Sequence, residues 1–359
     1  MQVLPFFLVY LLPLGVVVGY LLGGWCNFLT PFVTFVLIPV IDLFAGRNTY
    51  NPSADEEKIW NELLDFRVVT WLLVPIQTAL LFWGASVVAD GALRWHELAG
   101  FVFGIGTSGG VIGINVAHEL VHKHDNWERF LGNWLLWLTS YMHWGLEHIA
   151  GHHAKVATPV DPATARLNES FYRFWPRTVL GSYRSAWRIE SARLERKGHR
   201  VWGPRNRVLR DNLLIVLLIA ALGLLWGWKA IVFFLVQSFV AFSLLEVVNY
   251  IEHYGLLRVR NEAGEFERVL PKHSWNASER ATNYFLFNLQ RHSDHHYKPA
   301  RRYQILRHRD DAPQLPVGYG GMLVLALVPR LWFRVMNPRV PDEMKELHGR
   351  EVAAGNLPA

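Results

Sequence analysis

The sequence predicts an all-α integral membrane protein, in which six transmembrane helices carry a cytoplasmic, histidine-rich catalytic cap. Two observations indicate this class. The chain of 359 residues is 51% hydrophobic and 14% aromatic, and several of its windows hold about 18 or more mostly apolar residues, the length that spans a bilayer. Three clusters of histidines lie between or after these windows. We therefore expect a single membrane-embedded domain over residues 1–359.

Apolar windows define the membrane helices that we expect. After Asp211 the chain stays apolar for roughly 40 residues, which is too long for one crossing and sufficient for two. The segment Trp226–Lys229 suits the turn between these two helices, because Trp and Lys favour the membrane interface. The remaining segments, 118–211 and 252–359, then form the cap. The predicted transmembrane helices lie at about 3–22, 25–45, 68–89, 98–117, 212–227 and 230–251.

Two other apolar stretches are predicted not to cross the membrane. Trp127–Trp144 separates the first histidine cluster from the second, so a single crossing there would put the two clusters on opposite sides. We expect this segment to lie along the bilayer or to dip into it. Val317–Val335 is interrupted by Pro329 and two arginines, which favours an interfacial helix.

The distribution of charge orients the predicted helices. Between Arg166 and Arg210 the chain has 12 Lys and Arg against three acids, whereas the opposite turns contain only Arg94 and Lys229. Positive loops face the cytoplasm, so the histidine side is expected to be cytoplasmic. The basic segment is interpreted as a positive cytoplasmic loop or as a docking surface for an acidic protein. No nucleic-acid-binding motif accompanies it, so we expect no nucleic-acid partner.

Histidine spacing predicts a metal site. Residues three or four apart share one face of a helix, so each such pair of histidines is expected to chelate one ion. His253, in NYIEHYG, is a further candidate, although taken alone a hydrogen-bonded core histidine is the alternative. The candidate ligands in the three clusters are His118 and His122 in HELVHK, His148, His152 and His153 in EHIAGHH, and His292, His295 and His296 in LQRHSDHH.

The residue types also restrict the metal. Cys26 is the only cysteine, so thiolate zinc and iron–sulfur sites are excluded and nitrogen and oxygen must hold the ions. Imidazole suits iron, copper, zinc or nickel. Nine histidines exceed the needs of one ion, so two ions with open positions are expected, and redox-active iron would then permit oxygen chemistry. Four acids beside the histidines are expected to orient the rings through their second nitrogen, with ordinary solvated acids as the alternative: Glu119, Glu147, Glu252 and Asp294.

Four glycines and six further histidines are predicted to have structural roles. Gly106 with Gly110, and Gly109 with Gly113, have the spacing of closely packed membrane helices, and room for a substrate is the alternative. Several histidines lack a partner at chelating spacing and are not expected to bind metal: His96, His124, His143, His199, His308 and His348.

The four histidine motifs resemble those of the alkane 1-monooxygenase (AlkB-type) family, within the wider group of membrane di-iron desaturases and hydroxylases. The segments HHAKVATPVDPATARLNES, after the second cluster, and KHSWN, before the third, extend this resemblance. It runs from about Trp60 to Pro299. The resemblance implies a multi-pass protein of the inner (cytoplasmic) membrane, with the active site facing the cytoplasm and two non-haem irons bound by all nine histidines, and no catalytic side chain beyond the metal centre.

The same resemblance implies a reaction. Medium- or long-chain n-alkanes would enter from the bilayer and be hydroxylated at the terminal methyl to 1-alkanols, with O2 as co-substrate. Electrons would come from rubredoxin, supplied by a rubredoxin reductase. No cysteine follows Pro338, so we expect a separate, acidic rubredoxin that meets the arginine-rich surface. One alternative is a desaturase or hydroxylase of fatty acyl chains with the same di-iron site. A metal transporter is a weaker alternative, since its ionisable residues would lie near the bilayer midplane.

Overall fold

The computed structural model describes residues 3–357, so the predicted domain limits at residues 1 and 359 lie outside the described range. Within that range the chain is helical and forms no β-strand. Six helices are long and apolar enough to cross a membrane, which confirms the predicted all-α class with six spans. These helices are α1 (Leu4–Leu22), α2 (Gly24–Ala45), α4 (Leu64–Asp90), α5 (Trp95–Val121), α9 (Arg207–Trp226) and α10 (Trp228–His253).

Shorter helices build the cap between and after these spans. In chain order they are α3 (Ala54–Glu62), α6 (Asn126–Trp137), α7 (Met142–Glu147), α8 (Phe171–Arg196), α11 (Arg280–Phe285), α12 (His292–Tyr297), α13 (Tyr319–Ala326), α14 (Pro329–Met336) and α15 (Asp342–Ala353).

Three of the spans extend by about four or five residues beyond one end of the apolar windows from which they were predicted. Helix α4 begins at Leu64 instead of 68, α5 ends at Val121 instead of 117, and α9 begins at Arg207 instead of 212. The Asn206 side chain caps α9 by accepting a hydrogen bond from the Leu209 N–H at 3.1 Å. In all three helices, backbone hydrogen bonding continues into residues where the hydropathy has already fallen. As a result, His118 lies inside α5 and not in a loop after it.

Helix α5 is the most deeply buried of the six spans and packs against α10 through glycines. A Cβ atom added at Gly106 would lie 2.7 Å from Cβ of Val240, and one added at Gly110 would lie 2.7 Å from the Ala241 carbonyl oxygen. Both glycines therefore allow a backbone approach that a side chain would block. This close contact fixes the position of the first histidine cluster relative to His253 at the end of α10.

The two doubtful apolar stretches are short helices. Helix α6 has 12 residues and is therefore about 18 Å long, too short to cross a bilayer. The stretch predicted as one interfacial helix is instead two helices, α13 and α14, separated at Leu327 and Val328. Pro329 lacks the N–H that would continue α13, so α14 starts there. In α14, Trp332 is buried while Arg330 is exposed, as expected of an interfacial helix.

A buried carboxylate joins α2 to α11. Asp42 accepts hydrogen bonds from the backbone N–H groups of Ala281 (2.7 Å) and Thr282 (3.1 Å), at the N-terminus of α11. These N–H groups have no partner within their own helix, so the carboxylate satisfies them. The contact places Phe285 of α11 beside α2, where both helices contribute to the wall of an internal cavity.

Candidate metal centre

The structure brings all nine predicted histidines together in two adjacent groups. Within each group one ring nitrogen per residue lies within 4.8 Å of all the others. His122 and His153 are partly exposed, and the other seven rings are buried. The five-histidine group is His118, His122, His148, His153 and His295, and the four-histidine group is His152, His253, His292 and His296.

The same ring atom, Nε2, points inward in both groups. Nε2 of His148 lies 3.0 Å from Nε2 of His122 and 3.1 Å from Nε2 of His153. In the four-histidine group, His152 faces His296 at 3.2 Å, and His253 faces His292 at 3.2 Å, again through Nε2.

The converging donors fit two metal ions. Nε2 of His118 is buried and has no hydrogen-bond partner among the described residues, and a buried nitrogen left in this state is costly. Imidazole nitrogens that converge on one point without donor–acceptor pairing are typical of a metal site. A set made only of imidazoles suits iron, copper, zinc or nickel.

A turn of π-helix decides which histidine joins which group. Residues 148–152 form this turn, with i to i+5 hydrogen bonding, so His148 shares its group with His153, five residues later. The expectation that His148 and His152 chelate one ion is therefore wrong. It assumed an α-helical repeat, which does hold for the pair His118 and His122. The adjacent residues His152 and His153 serve different groups.

Asp161 orients His152 and was missed by the sequence reasoning. Its Oδ2 lies 3.0 Å from Nδ1 of His152 and accepts from the Thr164 hydroxyl at 2.6 Å, while Oδ1 accepts from the Ala163 N–H at 3.1 Å. Asp161 is 1% exposed. An Nδ1–H donated to this carboxylate leaves the Nε2 lone pair free for a metal. The only sequence signal was its place in the segment VATPVDPATARLNES.

Of the four acids expected to orient rings, Glu252 approaches one. Its Oε1 lies 3.1 Å from Nδ1 of His292, at an angle unsuited to a hydrogen bond, and accepts from the Tyr319 hydroxyl at 3.0 Å. The contact is to a histidine from another helix and not to the adjacent His253. Neighbouring residues on a helix point about 100° apart, so an acid next to a ligand in sequence faces elsewhere.

The other three acids have different surroundings. Glu119 pairs with Lys123 at 2.7 Å, and Asp294 pairs with Arg301 at 2.7 Å. Oε1 of Glu147 is buried without a hydrogen-bond partner among the described residues. Within residues 3–357, none of these carboxylates lies at ion-pair distance from a candidate ligand. The same divergence of neighbouring helical side chains directs these three carboxylates away from the rings beside them in sequence.

Burial favours the neutral form of His148 and His295. It lowers the pKa of His148 and His295 well below the usual histidine value, and neighbouring histidines lower both pKa values further. His152 differs: burial lowers its pKa, but the carboxylates of Asp161, Glu147 and Glu246 together outweigh that effect and raise it. Neutral rings expose the lone pair that a metal requires.

The remaining histidines lie outside both groups. His308 is held by the Ser278 hydroxyl at 2.8 Å and by Asp310 at 3.1 Å. The backbone carbonyl of His273, in KHSWN, lies 3.4 Å from Nδ1 of His253, so this segment supports the second ring nitrogen of a candidate ligand. His143 is buried beside Tyr141 and Tyr183.

A narrow apolar cavity leads to the histidines from between the membrane helices. His118, His148 and His292 line one end of it. The apolar wall comes from six helices and the segment after α11, and includes Ile38, Val111, Trp144, Leu244, Leu245, Val248, Phe285, Leu286, Leu289 and Leu323.

Comparison with known proteins first gives the class. The family model described as "Fatty acid desaturase" matches residues 92–323. A relative from Alcanivorax borkumensis, named Alkane 1-monooxygenase 2, is 43% identical over 93% of this chain and 88% of its own length. A protein of the same name from Pseudomonas aeruginosa is 44% identical over 86% and 82%. A Pseudomonas putida protein, named Xylene/toluene monooxygenase hydroxylase component XylM, is 25% identical over 95% and 90%.

These matches, together with the six spans and the histidine groups, define a membrane oxidoreductase of the desaturase-like class. Within that class, the chain belongs to the alkane 1-monooxygenase family.

Removing His253 tests the four-histidine group. We expect His253→Ala to lower the metal content from about two ions per chain to about one, because three imidazoles with an open position hold an ion more weakly than four. Inductively coupled plasma mass spectrometry of the purified protein measures this. The matched control is His143→Gln, which removes a buried histidine outside both groups. Unchanged metal content in His253→Ala would contradict the assignment.

Removing the charge of Asp161 tests its action on His152. We expect Asp161→Asn to weaken metal binding in the four-histidine group by roughly 10- to 100-fold, because the amide no longer fixes the Nδ1–H tautomer. Titration of the apoprotein with Fe(II) under anaerobic conditions gives the affinity of each histidine group for iron. Asp294→Asn is the control, since that carboxylate pairs with Arg301. Equal affinities in both variants would rule out the role of Asp161.

Proposed function

We propose that this enzyme hydroxylates the terminal methyl of medium- or long-chain n-alkanes to 1-alkanols, with O2 and with electrons from rubredoxin. The observation that carries the proposal is the apolar cavity that ends at the histidines of both groups. An alkane has no polar group that a protein could bind, so only the shape of an apolar channel can select its terminal carbon. The alkane 1-monooxygenase names of the relatives support the same substrate class.

The cavity suits an extended chain. Gly110 and His118 both line it and are eight residues apart on α5, which corresponds to about 12 Å along a helix axis. Leu245 and His253 are separated equally on α10. A chain lying along α5 and α10 therefore presents one end to the histidines while its remainder contacts leucine, valine and phenylalanine side chains.

The nine histidines would hold two iron ions, five imidazoles around one and four around the other. Bound iron supplies the activation of O2. The carboxylates of Asp161 and Glu252 lie close to the four-histidine group and compensate part of the positive charge that two ions bring to a buried site.

Side chains of the cavity position the substrate and exclude water. Trp144 is buried and stacks on the His148 ring, with centroids 4.3 Å apart and planes 20° apart. It also lines the cavity with Leu289. The indole thus fixes the ring of a ligand on one side and presents an apolar surface to the substrate on the other, which keeps the reacting carbon in place.

The exposed charge of helix α8 supports the proposal that rubredoxin is the electron donor. Arg173, Arg184 and Arg188 are exposed on this helix, whereas Glu169 and Glu190 are paired with Arg177 and Arg193. The three exposed arginines therefore form a basic surface that complements an acidic rubredoxin. Helix α8 packs against the second histidine segment. Its charge also favours a site that faces the cytoplasm, in an inner-membrane protein.

The cavity favours a hydrocarbon over a fatty acyl substrate. No lysine or arginine occurs in the lining formed by the described residues, so a carboxylate or phosphate head group finds no charged partner there. The XylM relative is named as the hydroxylase component of a xylene/toluene monooxygenase, which also fits hydrocarbon hydroxylation. A transport pathway is disfavoured, since the histidines close one end of the cavity.

Turnover with a labelled oxidant tests the proposal. Purified protein in lipid nanodiscs, loaded with Fe(II) and supplied with rubredoxin, rubredoxin reductase, NADH and ¹⁸O2, is expected to convert octane or dodecane to 1-alkanol carrying one ¹⁸O atom. Gas chromatography with mass spectrometry identifies the product. Product without the label, or an alkene in place of the alcohol, would contradict monooxygenation. Palmitoyl substrates serve as the comparison for the acyl alternative.

Narrowing the cavity tests where the chain lies. We expect Leu245→Phe to reduce turnover of hexadecane relative to octane by roughly tenfold, because overpacking costs about 1–3 kcal/mol where the longer chain must pass. Leu235→Phe, on the lipid-exposed face of α10, is the matched control. A ratio of hexadecane to octane turnover that does not change in Leu245→Phe, with metal content intact, would place the substrate elsewhere.

A further inference from the structure

The apolar cavity contains one polar group that the alkane reaction does not require. Asn115 lies at the start of the last stretch of α5, three residues before His118, and lines the cavity beside it. Its side-chain Nδ2 is buried and donates no hydrogen bond among the described residues, and the residue is 7% exposed. A buried amide without a partner is destabilising, so its retention needs an explanation.

The other uncharged amide and hydroxyl side chains that line the cavity already make hydrogen bonds. The Thr34 hydroxyl donates to the Thr30 carbonyl at 2.9 Å, and the Thr282 hydroxyl donates to Asp42. Asn249 Nδ2 donates to Glu246 at 3.1 Å.

The one carboxylate in the lining, Glu252, accepts from the Tyr319 hydroxyl at 3.0 Å. Among the described lining residues apart from the histidines and the Trp144 indole, Asn115 is therefore the side chain whose N–H group has no hydrogen-bond partner.

We propose that Asn115 forms a subsite for the hydroxyl group of a primary alkanol, by donating a hydrogen bond from Nδ2 to the alcohol oxygen. This proposal rests on the function proposed above and extends it to a second class of ligand. An alkane leaves the Asn115 donor unsatisfied, whereas an alkanol of the same shape satisfies it. The terminal carbon of a chain in the cavity lies at the histidine end, where the Asn115 amide is located.

The consequence is a cavity that distinguishes an alkanol from the alkane of equal length. Replacing the terminal methyl of undecane by a hydroxyl gives 1-decanol, which has the same number of heavy atoms. One net hydrogen bond contributes a preference of roughly fivefold in the dissociation constant. Asn115 acts in this way as a specificity residue that retains the alcohol near the histidines and lets it compete with the alkane.

Equilibrium binding tests the subsite without turnover. Full-length, Fe(II)-loaded protein in nanodiscs is titrated anaerobically with 1-decanol and with undecane, in the absence of an electron donor, and the ratio of the two dissociation constants is measured. Empty nanodiscs correct for partitioning into lipid. We expect a ratio of roughly five in favour of 1-decanol. Equal corrected affinities for the two ligands would overturn the proposal, whichever variant is made.

Two variants then test whether the preference for 1-decanol over undecane depends on Asn115. Asn115→Leu, similar in shape and without a donor, is expected to bring the ratio to about one with two irons retained. Thr34→Val removes a lining hydroxyl that is already bonded to Thr30, so the ratio is expected to stay near that of the unsubstituted protein. An unchanged preference in Asn115→Leu would overturn the assignment to this residue. If Asn115→Leu fails to fold, binding of decyl methyl ether to the unsubstituted protein tests whether Asn115 donates a hydrogen bond to the ligand.

The ether accepts a hydrogen bond and cannot donate one. Binding like that of dodecane, its analogue with the same number of heavy atoms, would exclude donation by Asn115, and tighter binding would support it. All of these measurements are independent of oxygen and electrons. Absence of alkane hydroxylation would therefore refute the proposed function without affecting the binding ratio, and the two failures are distinguishable.

Discussion

The convergence of nine imidazoles on two points is the constraint on which the rest of this structure depends. Imidazole rings that face one another through the same nitrogen are not mutually stabilising without a cation, and each buried ring nitrogen without a partner costs about 1–3 kcal/mol. The surrounding fold must offset this cost. It does so through the glycine contacts between α5 and α10 and through the Asp42 contact that fixes α11 to α2.

The division of the histidines depends on backbone register more than on their order in the sequence. Eight of them come from three clusters, yet the second and third clusters each supply both groups. The π-helical turn over 148–152 moves His153 beside His148 and leaves His152 to face His296. A regular α-helix would have aligned His148 with His152 and left one group short of a donor. The local irregularity is therefore part of how the two groups are built.

Much of the fold and of the candidate site follows from sequence, because hydropathy and spacing are local properties. Six apolar windows predicted six helices, and histidine motifs predicted the rings that meet. The predictions that failed concern the carboxylates that support the rings and the division of the histidines between the two groups, which depends on an irregular turn. Asp161 is eight residues from His153 in an apparently featureless loop, and its carboxylate reaches His152 only because an Asx-type turn holds it. Glu119 and Asp294 were chosen for adjacency, yet adjacent helical side chains diverge.

Helix α5 shows how one segment combines contradictory requirements. Gly106 and Gly110 allow α5 to pack closely against α10. The middle of the helix must stay apolar where it lines the cavity for a hydrocarbon. His118 and His122 must present ring nitrogens that can bind metal. These demands are met in sequence order along about four turns, from packing to cavity to metal. Asn115 lies at the boundary between the last two, where a purely apolar residue would serve an alkane equally well. The Nδ2 donor of Asn115 gains a hydrogen-bond partner there when the ligand carries an oxygen atom.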